Sequence, residues 1–297
     1  MAWRGVHITR PARLSVTDGQ LVVEQEDEDV RLALEDIAWL IVDTPQATVT
    51  TPLLSACMEA GIAVMTTDAR HMPSGLLLPF HRHHRQASVA TLQAETSAPL
   101  RKRLWQALAR AKIANQAAVL DALGRAGGDA INRMAERVAS GDPENIEARA
   151  ARAYWASLWE DFVRDDVGDP RNMRLNYGYG VLRACVARAL VASGFLPAFG
   201  LHHASATNPF NLADDVIEPF RPFVDHMVWS MSGAAAPARN GLSREDRRAL
   251  ASVPLRECRI GADRMTLLAA SERCAGSLVR AIEGKTPALF ELPHFGS

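Results

Sequence analysis

The chain has 297 residues and 32.3 kDa, 48% of them hydrophobic, with a formal net charge of -1. That length gives room for two modest domains with cores of their own. The near-neutral total argues neither for nor against nucleic acid, because binding follows the local distribution of charge, but no window reaches the ~18 uninterrupted apolar residues that a membrane span requires.

The opening stretch, M-A-W-R-G-V-H-I-T-R-P, lacks the apolar run of a secretory signal, and the expected location is cytoplasmic. From residue 5 to about 80 the texture is β. V-H-I-T at 6–9, R-L-S-V at 13–16 and L-V-V-E at 21–24 are short and rich in β-branched residues, and Asp18-Gly19 is a strong hairpin signal. The alternating V-R-L-A-L at 30–34 precedes the buried-looking A-W-L-I-V at 38–42. After a Thr-rich strand, Thr51-Pro52 opens a short helix that Gly61 ends, and I-A-V-M at 62–65 returns to strand. One helix among many strands predicts a small β-rich domain rather than a doubly wound sheet. Neither G-x-G-x-x-G nor a Walker loop is present, so nucleotide binding has no support. Charge is uneven. Between Asp18 and Asp36 the chain is acidic. Between His81 and Lys112 it is basic, with Arg82, Arg85, Arg101, Lys102, Arg103, Arg110 and Lys112 against Glu95.

Residues 79–84 mark a change of regime, beyond which Ala-, Leu- and Arg-rich segments carry helical spacing almost to the end. Helices are predicted at about 86–123 with a break at Pro99, at 130–140, and from Asp142 as N-cap with Pro143 in the first turn to about 163. Further helices are expected at about 179–193, 211–230, 244–251 and 263–283. Cys57, Cys185, Cys258 and Cys274 stand far apart in apolar or helical contexts, which fits reduced buried thiols. The expected architecture is α+β: a small β-rich N-terminal domain, residues 1–80, followed by a larger all-α catalytic domain, residues 81–297.

Chemistry concentrates at residues 199–225, F-G-L-H-H-A-S-A-T-N-P-F-N-L-A-D-D-V-I-E-P-F-R-P-F-V-D. Asn208-Pro209 reads as a turn, and Asn211 as an N-cap with Asp214 in the capping-box position. Asp215 and Glu218, three apart, share a helix face, and Pro219 should kink the helix beside them. An acidic capped surface helix is the plainer alternative; the adjacent His202 and His203 favour a site. On the helix after Pro143, Glu147 lies on a stripe with Ala150, Ala151, Tyr154 and Trp155. A carboxylate there must be paired or bind metal, and a structural salt bridge is the competing reading. Glu147, the histidines, Asp215 and Glu218 together form a nitrogen-and-oxygen donor set that suits Mg²⁺ or Mn²⁺.

The segments I-E-A-R-x-A-R-x-Y-W, N-Y-G-Y and G-L-H-H-x-x-x-x-N-P-F-N-L-A-D-D-x-x-E-P-F-R-P resemble the CRISPR-associated spacer-acquisition integrases, the family called Cas one. E-P-F-R-P, with L-E-D-I-A and S-G-L-L-L-P-F-H-x-H-H-R-Q nearer the start, is similar to the branch accompanying type II systems. The resemblance implies a β-rich domain that dimerises and an α-helical domain with one divalent metal site. Carried over by position, the ligands are Glu147, His203 and Glu218, with Asp215 assisting and His202 the alternative to His203; many relatives have aspartate where this chain has Glu218. The implied reaction is attack of a DNA 3′-hydroxyl on a phosphodiester, twice, inserting a short duplex at the leader end of a CRISPR repeat, with DNA hydrolysis available when water replaces the hydroxyl. Implied partners are a second copy of the chain, double-stranded DNA and the companion Cas two bridging two dimers, with Cas nine and Csn two as further candidates.

Softer features bear on DNA. Arg82 and Arg85, among His81, His83 and His84, could contact phosphate at the domain junction. Arg101, Lys102 and Arg103, near Trp105, could track a duplex backbone or form a solvated helix face. Tyr177 and Tyr179 read as core aromatics or base-stacking groups, and Arg221 as a phosphate ligand or a partner of Asp225. Two other functions compete: a structure-selective repair nuclease that keeps the metal, and a non-catalytic DNA-binding scaffold.

Overall fold

A computed structural model describes residues 2–80, 83–232 and 242–296. In chain order the first part contains β1 (Arg4–Ile8), β2 (Ala12–Thr17), β3 (Gln20–Glu24), β4 (Asp29–Ala33), β5 (Ile37–Val42), β6 (Ala47–Val49), α1 (Thr51–Ala60), β7 (Ala63–Thr67) and β8 (Pro73–Leu77). Asp18 and Gly19 take φ of 52° and 70°, the twist a two-residue hairpin needs, and pair Thr17 with Gln20. Two four-stranded sheets result. The first runs β1-β5-β7-β8, parallel until β8 turns back against β7; the second runs β4-β3-β2-β6.

The first sheet is covered on both faces. Leu40 packs with Leu14, Leu21 and Val23 of the second sheet, while Trp39, Ile41, Ala63 and Met65 join the core of the helices. This explains why I-A-W-L-I-V is continuously apolar rather than alternating.

The second part holds α2 (Gln86–Ala94), α3 (Ala98–Ala122), α4 (Gly128–Arg137), α5 (Ile146–Leu158), α6 (Pro170–Ala192), α7 (Asn211–Val216), a 3₁₀ turn at Glu218–Phe220, α8 (Arg221–Ser232), α9 (Arg244–Ala251), β9 (Glu257–Ile260), β10 (Asp263–Thr266) and α10 (Leu267–Glu283). Buried along most of its length, α6 packs on α8, α9 and α10 and on β7 and β8. All four cysteines are buried and unpaired. Among the described residues no helix is long and apolar enough to cross a membrane.

Three expectations need correction. The helical part is not all-α: E-C-R-I and D-R-M-T pair as a hairpin around Gly261 at φ 61°, and the last helix begins at Leu267, where the Thr266 hydroxyl accepts the Ala269 N–H. Strands of four residues are too short for periodicity to separate from a helix start. Secondly, Pro143 precedes rather than opens α5. The Asp142 carboxylate instead reaches forward to accept the Ile146 and Glu147 N–H groups at 2.8 and 2.9 Å, and the helix stops at Leu158. Finally, α6 starts at Pro170, capped by Asp169, which accepts the Arg171 N–H at 2.8 Å. The Asp-Pro start signal occurs twice in the sequence, and only the second copy begins a helix.

A buried cluster ties strands to helices. Asp43, at the end of β5 and fully buried, accepts from Arg247 of α9 at 2.7 Å, Thr67 at 3.0 Å, His7 at 2.9 Å and His71 at 2.6 Å. Burial alone would raise this carboxyl; the bonds from His7, Arg247 and His71 prevail and hold it at about 2, below the ordinary 3.8. A carboxylate so depressed adds stability above the unfolded value that is lost as pH falls through the folded one. Asp43→Asn should therefore lower unfolding stability by roughly 3 kcal/mol at neutral pH, and the deficit should shrink by about 2 kcal/mol in denaturant titrations repeated from pH 5 down to pH 2. A deficit that does not change with pH would show that Asp43 is not the acid-sensitive tie.

Candidate active site

The loop between α6 and α7 carries the two histidines, and polar side chains hold it at several points. Gln93 of α2 donates to the carbonyls of Leu196 and Phe199 at 3.0 and 2.7 Å. Asn211 donates to those of Ala198, Ser205 and Asn208 and accepts the Ser205 N–H. It is thus the first buried residue of α7 rather than its N-cap, and Asp214 completes no capping box: its carboxylate accepts instead from Arg183 and Asn208.

Asp215 is the hub of this loop. Fully buried, it accepts the N–H groups of Leu201, His202 and His203 at 2.5, 3.0 and 3.0 Å and bonds His203 Nδ1 at 2.7 Å. Only glycine fits at 200, since a Cβ there would lie 2.2 Å from the His203 carbonyl oxygen and 2.7 Å from Asp215 Oδ2. With Nδ1 engaged, His203 keeps Nε2 for other partners, the arrangement by which a carboxylate aims an imidazole at a metal. The bond from Asp215 outweighs partial burial and raises the imidazole above its ordinary value. His202 instead stacks on Trp105, with ring centres 4.1 Å apart and planes within 6°. The two adjacent histidines are therefore distinguishable: one is held by a carboxylate, the other packed on indole.

Glu147 and Glu218 approach from other elements. Glu147 opens α5, with its backbone N–H bound by Asp142. At Glu218 the Pro219 break expected from sequence turns α7 into a 3₁₀ turn before α8. Asn115 of α3 fixes that turn by donating to the Pro219 carbonyl at 2.7 Å and to that of Pro293 at 2.9 Å, while accepting the Phe295 N–H. One turn earlier on α3, the Lys112 ammonium contacts both Glu147 Oε1 and Glu218 Oε2. Arg221 Nε meets the other oxygen, Glu218 Oε1, at 3.0 Å. Burial would raise the Glu218 carboxyl, but Arg221 and Lys112 outweigh it and hold it below the usual carboxylate range.

A cation thus already lies between the two glutamates, so the pair fits one. The charges of His203 and Glu218 also act on each other. Two carboxylates and an imidazole nitrogen are the hard, mixed set that Mg²⁺ or Mn²⁺ accepts. Among the described residues, though, no three His, Cys, Asp or Glu side chains stand at metal-binding spacing. Asp215 and Glu218, expected to aim at one spot, diverge: Asp215 holds the histidine loop, and Glu218 faces Lys112 and Arg221.

A cleft of about 470 Å³ opens beside His203, between residues 73–76 of the β8 edge and Arg164, Arg183 and Arg221. Tyr179 forms its floor, donating its hydroxyl to Asp225 with its ring beneath Arg221 at 4.8 Å and Arg164 at 5.5 Å. It is thus a core support rather than a base-stacking group, and Arg221 pairs with Glu218 instead of Asp225. Tyr177 is buried with its hydroxyl 3.4 Å from His7 Nε2. Of the other basic residues singled out from sequence, His81 and Arg82 lie outside the described residues. Arg85 pairs with Glu283 at 2.9 Å, Arg103 donates to the Lys285 carbonyl at 3.4 Å, Lys102 is exposed and Arg101 half-buried at the start of α3. None of these described residues lines the cleft. Sequence reasoning missed Lys112 as a site residue, along with Asn115, Gln93, Arg164 and Arg183. The available signal was polar Lys112, Asn115 and Gln116 set among alanines and other apolar residues on a mostly buried helix.

Paired glutamates, a carboxylate-held histidine and an arginine-walled cleft are thus carried on a strand-plus-helix scaffold. The family model described as CRISPR associated protein Cas1 matches residues 6–250. The chain belongs to the Cas1 family. It is 45% identical over 230 residues, 77% of this chain and 75% of the relative, to the CRISPR-associated endonuclease Cas1 of Neisseria meningitidis serogroup C. A Pyrobaculum aerophilum protein, CRISPR-associated endonuclease Cas1 2, is 29% identical over 286 residues, 91% of this chain and 96% of its own length. Among solved structures, a casposase bound to integration product superposes with a TM-score of 0.79 at 18% identity, covering 96% of this chain and 92% of that one. The Cas1 protein TM1797 from Thermotoga maritima gives 0.75 at 16% identity over 99% of both chains. At such identities the structural likeness speaks for the fold alone.

The Asp215–His203 bond makes a direct prediction. A histidine raised by its partner adds stability that is fully present below its unfolded value and lost as pH rises through the folded one. In an NMR titration His203 should have its midpoint above the ordinary 6.5, and Asp215→Asn should move that midpoint down. An unchanged midpoint in the variant would remove Asp215 as the residue that orients the ring.

Proposed function

We propose that the protein is a divalent-metal-dependent DNA integrase that inserts short duplexes into a CRISPR array, by attack of a DNA 3′-hydroxyl on a phosphodiester. The observation that carries this is the convergence of Glu147 and Glu218 on the Lys112 ammonium, with the charge of Glu218 felt by an imidazole that Asp215 fixes. In this reading Glu147, Glu218 and His203 Nε2 hold Mg²⁺ or Mn²⁺. When bound, that ion would lower the pKa of the attacking hydroxyl and neutralise charge developing at phosphorus. The chain's own groups do the rest. Asp215 keeps the imidazole oriented, Asn115 keeps the Glu218 turn in place, and Arg164, Arg183 and Arg221 offer positive charge to phosphates entering the cleft. Water in place of the hydroxyl would give hydrolysis, which accords with relatives named endonucleases.

The same reading makes double-stranded DNA the substrate, a homodimer joined through the strand-rich part the working form, and Cas2 the companion bridging two dimers. For DNA and Cas2 its support is what two fold neighbours are bound to, a casposase bound to integration product and a Cas6-RT-Cas1–Cas2 complex whose matched chain this one covers to 36% at a TM-score of 0.75. The homodimer rests on the sequence resemblance alone. The E-P-F-R-P segment, similar to the type II branch, leaves Cas nine and Csn two as proposed further partners. Arg85, Arg101, Lys102 and Arg103, with Arg82 from the sequence alone, are the proposed contacts to duplex backbone.

Strand transfer into a supercoiled plasmid bearing a repeat, assayed with the companion protein in Mg²⁺ or Mn²⁺, tests the proposal. Glu147→Ala and Glu218→Ala should each lose more than roughly a hundredfold in integration while duplex binding survives, and chelation should abolish the reaction. Undiminished transfer in both variants would leave only a scaffold, and cleavage of branched DNA with no preference for the repeat would favour a repair nuclease.

A further inference from the structure

Lys112 is buried between the two acids that the proposed function assigns to metal. Its side chain is 12% exposed, against 18% for Glu147 and 7% for Glu218, so the three charges meet in a nearly dry setting where ionic contacts are strong. Glu218 has Arg221 on its second oxygen, whereas the cation that Glu147 shares with Glu218 is Lys112. Two carboxylates from different elements repel unless a positive charge lies between them, and α3 delivers it from a rigid, buried backbone flanked by Ala111 and Ile113.

The residue type adds to the case. The chain has 33 Lys and Arg together, yet only three are lysines: Lys102, Lys112 and Lys285. Arginine would clamp a carboxylate pair with a planar fork of donors. Lysine presents one compact charge on a flexible stem, able to bridge two oxygens and then withdraw.

We infer that Lys112 is the site's internal counter-cation: it holds Glu147 and Glu218 together before metal arrives, and it must be displaced for a divalent ion to enter. This rests on the metal reading above and goes beyond it, because it assigns a competitor rather than a ligand. A site open to metal for only part of the time binds with an apparent affinity reduced by that fraction. Removing the competitor therefore tightens metal binding, although it loosens the metal-free protein. A purely structural lysine would differ in the first respect, its loss weakening metal binding along with the metal-free fold.

The test measures Mn²⁺ binding by EPR titration in the wild type, Lys112→Met and Glu147→Ala, with no DNA present. Lys112→Met should bind Mn²⁺ about tenfold or more tightly than the wild type, and its melting temperature should be lower without Mn²⁺ and rise further when Mn²⁺ is added. Equal or weaker Mn²⁺ binding in Lys112→Met, with Glu147→Ala impaired, would overturn the role of Lys112 and leave the metal site standing. Mn²⁺ binding absent from wild type and Lys112→Met alike would sink both readings. Amine acetylation read by mass spectrometry on the unmutated protein keeps the test independent of how the variant folds. Saturating Mn²⁺ should speed labelling of Lys112 severalfold and leave Lys102 and Lys285 unchanged; Lys112 labelling that is unaltered or slower at saturation would refute displacement.

Discussion

Two like charges forced together at the edge of a helical core impose the central constraint on this molecule. Glu147 and Glu218 come from elements with no local reason to meet, one at the start of α5 and the other at the break between α7 and α8, and they face the same point. Holding them there requires compensating positive charge and a backbone that cannot relax apart. Lys112 and Arg221 meet the first requirement. The second is distributed: Asp142 fixes the first turn of α5, Asn115 fixes the Pro219 carbonyl, and the buried faces of α3 and α6 leave these elements little freedom. Through Asn115 the C-terminal residues Pro293 and Phe295 are part of the same support.

The histidine is positioned by a different device. Its loop has no regular structure, so its backbone donors need partners elsewhere, and Asp215 supplies them by accepting three consecutive N–H groups as well as the ring nitrogen. Such concentration of bonds on one buried carboxylate is stable because every donor is satisfied by charge-assisted bonding. The strand-rich part contributes to the site as well. Residues 73–76 at the β8 edge form one wall of the arginine-lined cleft, and Asp43, bonded to Arg247, ties that sheet to the helices. The walls of the cleft therefore come from both the strands and the helices.

Much of this was legible in the sequence, for identifiable reasons. Short β-branched runs and the Asp18-Gly19 turn marked the sheets, and Pro219 marked the break at which Glu218 sits, because turn and proline chemistry act within a few residues. The capping signals were less reliable. Asp142-Pro143 and Asp169-Pro170 look alike, but Asp142 adopts a left-handed φ of 49° and caps α5 from a distance, so only the tertiary path distinguishes them. The β9–β10 hairpin escaped because four-residue strands carry almost no periodicity. Glu147, His203 and Glu218 were named from family resemblance together with their residue types. Their supports were not, since the roles of Lys112, Asn115 and Gln93 depend on which helices lie side by side. Asp215 was expected to share a spot with Glu218 and assist the ligands, and the fold turns its carboxylate to the histidine loop.

The most direct measurement is a crystal of the protein soaked in Mn²⁺, with anomalous differences collected at the manganese edge. A single peak within coordination distance of the Glu147 and Glu218 carboxylates and His203 Nε2, with the Lys112 ammonium drawn away from between the acids, is the predicted result. Manganese bound elsewhere, or Lys112 still bridging the two glutamates at full occupancy of the metal, would contradict it.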